Sequence, residues 1–126
     1  MLSRLIAGLL GLFHSANALF MLAAPTRWFA AAPGASDTGP FNPHFVADVG
    51  FAFLAAGVAL LLFAWRPNLR LLAFGAQIWI VLHALLHLWG IAQGHVHNAA
   101  TDVVAIAAPA ALGLFVTWPR KEAVRA

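Results

Sequence analysis

Cysteine is absent from this chain of 126 residues, which excludes disulfides, thiolate metal centres, iron–sulfur clusters, c-type haem attachment and cysteine nucleophiles. Charge is scarce too. Only 9% of the residues are charged, seven Lys and Arg against four Asp and Glu, whereas 63% are hydrophobic and the mean hydropathy is +0.86. That leaves too little polar surface to cover a water-soluble globule and puts the chain in the membrane class. A net charge of +3 and a pI near 11.3 raise the question of nucleic acid. The basic residues flank apolar segments instead of forming one face, so nucleic-acid binding is rejected. There is no serine-nucleophile elbow, phosphate-binding glycine loop or pair of catalytic carboxylates, and the sequence assigns no reaction.

What is present is a set of four long apolar runs: Leu2 to Ala24, His44 to Trp65, Leu69 to Gln93 and Ala99 to Trp118. Crossing a hydrocarbon layer takes roughly 20 helical residues, so each run is long enough. The expected fold is all-α, a four-helix transmembrane bundle forming a single domain over residues 1–126. Arg66-Pro67-Asn68 and Gly94 to Asn98 are short turns that make neighbouring helices antiparallel, while Pro25 to Pro43 carries breaker steps and reads as an irregular loop. Arg4, Arg66, Arg70, Arg120, Lys121 and Arg125 fall on one side of the layer and Arg27 alone on the other. The positive-inside bias then predicts that both termini are cytoplasmic. Arg4 and the Ala16-Asn17-Ala18 triplet imitate a cleavable signal, but apolar sequence continuing through Phe20, Met21 and Leu22 favours a retained helix. The layout is similar to that of small bacterial four-helix membrane families, which implies a bacterial inner membrane, although it carries no family signature.

Against this background the ionisable residues stand out, because charge at membrane depth is costly and usually faces a protected interior. Residues three or four apart share one helical face. His14 with Asn17, His44 with Asp48, and His83 with His87 are therefore three polar faces on three helices. At 1.5 Å per residue, Asp48 lies roughly 6 Å below His44, His87 and Asn17 roughly 10 Å below their helix ends, and His83 and His14 roughly 15 Å below. All fall in the non-cytoplasmic half. Asn42-Pro43 suits an N-cap and first helical position, which places Asp48 beyond capping reach. Asp102, close to Asn98 and Thr101, reads as an N-terminal stabiliser, Gln77 as structural, and Pro109 as the source of a bend that frees the Ala105 carbonyl.

The leading expectation is a transition-metal site of His44, Asp48, His83 and His87, with His95 or His97 as further ligands; imidazole and carboxylate suit zinc, copper or iron. The alternative cofactor is b-type haem, with His14 and His83 as axial ligands. A third reading is proton transfer through Asp48 and the histidines, and a fourth is a membrane accessory protein whose polar residues serve assembly. The expected surroundings are the lipid bilayer. The sequence leaves open whether the chain is an enzyme.

Overall fold

In an apolar layer the helix is the one local conformation that satisfies its own backbone, and all four apolar runs are helical. The computed structural model describes residues 1–95 and 98–120, with the side chain of Asp37 excepted. The long helices are α1 (Leu2–Ala23) and, after a short α2 (Pro25–Ala31), α3 (Pro43–Trp65) and α4 (Arg70–Ala92), followed by α5 (Ala99–Thr117). Each is long and apolar enough to cross a membrane. Their limits lie within a residue or so of those expected.

The ends are set by recognisable chemistry. Asn42 Oδ1 accepts hydrogen bonds from the backbone N–H groups of His44 (3.1 Å) and Phe45 (3.2 Å), with Pro43 in the first turn, as the sequence suggests. Asn98 caps α5 in the same way by accepting from the Thr101 N–H at 3.1 Å. At the end of α4, Gly94 takes the left-handed conformation at φ 72°. The His95 N–H then reaches back to Gly90 O and that of Gly94 to Ile91 O, which closes the helix. The stretch from Pro25 to Pro43 is more regular than expected. It folds into α2 and a single 3₁₀ turn at Ala35–Thr38, and α2 packs back against α1 and α3.

Packing runs in a ring: α1 lies on α3, α3 on α4, α4 on α5, and α5 on α1, so that α1 and α4 are diagonal. Small residues allow the closest approach, between antiparallel α1 and α3. A side chain on Gly11 would meet the Gly57 carbonyl oxygen at 2.9 Å, and one on Gly57 would meet the Ser15 amide nitrogen at 2.8 Å. The two backbones therefore touch. Next to this contact, Ala7, Leu10, Leu60, Phe63, Ala73 and Val116 form a closed layer, and Ala56, Ile80, Ala84 and Ala110 form the next. The closed end is also tied by arginine. Arg4 donates to the carbonyls of Ala64 (2.7 Å) and Trp65 (3.0 Å) at the end of α3, and Arg70 donates to that of Val116 (2.7 Å) near the end of α5. These are carbonyls that a helix terminus leaves without partners.

The outer surface inverts the pattern of a water-soluble protein. Leu5, Leu9, Leu12, Phe51, Leu71, Leu82, Leu86 and Phe115 are all more than half exposed. Gly57→Val is expected to weaken the bundle by about 1–3 kcal/mol, because the neighbour is backbone and has no rotamer to give. Gly75→Ala, where nothing lies within 4 Å, should change stability by no more than about 0.5 kcal/mol. Equilibrium unfolding in mixed micelles of rising SDS fraction measures both.

Candidate functional site

Beyond the second packed layer the helices border a partly open cavity of about 540 Å³. Its walls are the second half of α1, the α2 segment, the first half of α3, the second half of α4 and the start of α5. Most of the lining is apolar, with Phe13, Phe29, Phe45 and Phe53 prominent. The polar exceptions include His14 and Asn17 on α1, His83 and His87 on α4, and Thr101 on α5.

On α4, helical spacing stacks three rings along the wall. The indole of Trp79 lies parallel to the His83 imidazole, with centroids 5.1 Å apart and planes 10° apart, and His83 meets the edge of His87 at 4.8 Å. The ladder ends on a carboxylate. His87 Nδ1 is 3.2 Å from Asp102 Oδ2, whose side chain is only 9% exposed. Asp102 opens the wide, π-type turn Asp102–Ala107 of α5, in which the Ala108 N–H bonds to Val103 O.

On the opposite wall, His14 is 2% exposed and neither ring nitrogen has a hydrogen-bond partner among the described residues. Phe53 packs on it with centroids 5.6 Å apart and also meets His83 edge-on at 5.5 Å. Asn17, one turn further, accepts a hydrogen bond from the Trp28 indole at 2.9 Å, which pins α2 over the cavity end.

Two corrections to the sequence reading follow. His44 and Asp48 do not join His83 and His87. They pair with each other at 3.4 Å on the outside of α3, with side chains 87% and 61% exposed. Val46 and Val49 line the cavity instead, and His44 and Asp48 are each about 200° round the helix from Val46. Among the described residues, no three metal-ligating side chains gather closely enough to hold an ion, so the four-ligand set is not assembled. The expected axial pair His14 and His83 flanks Phe53, whose ring packs against both. His95 is exposed, and His97 lies outside the described residues. Gln77 is wholly buried in the closed half, in the notch left by Gly113.

Asp102, which the sequence reading assigned to helix stabilisation alone, is the carboxylate that pairs with His87. The available signal was Asn98: once that residue caps α5, Asp102 is a surplus carboxylate in an apolar helix. Comparison with family models, with curated proteins and with solved structures finds no match. Asp102→Ala, which leaves His87 without its partner, is expected to cost about 1–2 kcal/mol of bundle stability. Asp48→Ala, at an exposed pair, should cost less than about 0.5 kcal/mol. The same SDS titration compares them, and equal losses would remove the distinction between the two carboxylates.

Proposed function

We propose that the chain is an integral-membrane binding protein that takes up a lipid-soluble small molecule in the cavity between α1, α3, α4 and α5. The observation that carries this reading is the cavity itself: about 540 Å³, ring-lined, with a few convergent polar groups. Pockets for small molecules typically measure about 300–1,000 Å³ and combine an apolar wall with a small number of placed donors and acceptors. Aromatic rings favour a ligand that presents flat or apolar surface. The His87–Asp102 pair supplies a hydrogen-bonding group beside it.

Membrane residence is supported by the four apolar helices and by the exposed Leu, Phe, Ile and Val side chains around them. The orientation is part of the same proposal. Arg4, Arg66 and Arg70 lie at the closed end, which therefore faces the cytoplasm with both termini, as the positive-inside bias directs. The cavity then lies in the non-cytoplasmic half of a bacterial inner membrane.

Binding can be read from Trp28, which lines the cavity. In nanodiscs, a variant retaining Trp28 as its single tryptophan should show saturable quenching by 1-bromonaphthalene. Filling the cavity from two sides with Val49→Phe and Ala105→Phe should leave only the linear quenching of bulk partitioning. Linear quenching in both proteins would end the binding reading.

A further inference from the structure

The cavity's polar groups are arranged at two ends. His14 on α1 and His87 on α4 belong to helices that are diagonal in the bundle, Asp102 on α5 holds His87, and Phe53 packs against His14 on one side and His83 on the other. We infer that the ligand is a flat ring carrying an oxygen at each end, of the p-quinone or quinol kind, held between His14 and His87; this rests on the binding reading above.

Both ends have the chemistry such a ring requires. A neutral imidazole has one N–H donor and one acceptor nitrogen. At His14 neither is used by the protein, although the residue is 2% exposed and lines the cavity. Leaving such groups unmatched costs free energy, so a ligand oxygen that meets one of them gains more than it would in water. At the other end, Asp102 holds His87 through Nδ1. That orients the imidazole so that a ligand oxygen meets Nε2. Depending on its protonation state, this nitrogen accepts from a hydroxyl or donates to a carbonyl, and it thus accommodates quinol and quinone alike.

The space between the ends is lined by Phe53, Val49, Leu86 and Ile106. It suits an unsubstituted ring face or an alkyl tail. A fatty acid fits less well, because its single head satisfies one end only and a carboxylate placed beside Asp102 meets like charge. A mono-hydroxylated sterol also leaves one end unmatched.

Two probes with the same tail separate the ring's oxygens from its apolar body: decyl-p-benzoquinone and 4-decylbromobenzene, each read by quenching of Trp28 in the single-tryptophan protein in nanodiscs. Both should quench saturably, the quinone with about tenfold higher affinity. His14→Leu should remove about that tenfold for the quinone and leave the bromobenzene unchanged. The bromobenzene then also reports that the variant is folded, and the comparison in the unsubstituted cavity needs no variant at all. Equal affinity for the two probes, or an equal loss for both in His14→Leu, overturns the two-oxygen inference while leaving an apolar binding cavity. Saturable binding of neither probe overturns the binding reading with it.

Discussion

Backbone contact between α1 and α3 is the constraint on which the remaining architecture rests. Gly11 and Gly57 bring main chain against main chain, and Gly50 lets α3 close on Met21 and Leu22 further along. The two helices thus form one wall over most of their length. Helices α4 and α5 meet that wall through Phe63, Ala73 and Val116 at one end and diverge in character at the other, where rings and imidazoles line open volume. Small residues therefore do two jobs in this chain. They bind the wall together, and they concentrate bulky side chains where the cavity needs a lining.

Polar groups follow a matching division of labour. In the closed half they serve helix ends and interhelical fit: Arg4 and Arg70 reach terminal carbonyls, Thr117 donates to the Gly113 carbonyl at 2.7 Å, and Gln77 fills the space that Gly113 leaves. In the open half His14, Asn17, His83 and His87 are among the residues that line the cavity. A membrane interior offers no water to satisfy such groups, so each depends on the protein or on whatever occupies the space beside it.

The number, length and order of the four long helices were legible in the sequence, since each rests on a hydrophobic run of the right span. The glycine contact was not. In α3 the His44 and Asp48 face is the one that polarity singles out, whereas Val46, Gly50 and Gly57 are among the buried residues. His83 and His87 were read correctly as sharing a face, but their carboxylate is Asp102 and not Asp48. The reason is rotational. Depth can be counted along a sequence, whereas the angle each helix turns to its neighbours is set by side-chain packing that no single helix records.

The wide turn in α5 carries this rotational point into the chain itself. Pro109 has no N–H for Ala105, and the turn from Asp102 to Ala107 absorbs one additional residue ahead of it. That insertion works as a phase shifter: the azimuth of Asp102 is set independently of the stripe of Ala110, Gly113 and Val116 that docks α5 onto the bundle. Regularising that turn to α pitch with no residue removed would swing the carboxylate about 100° from His87, with the docking stripe left in register.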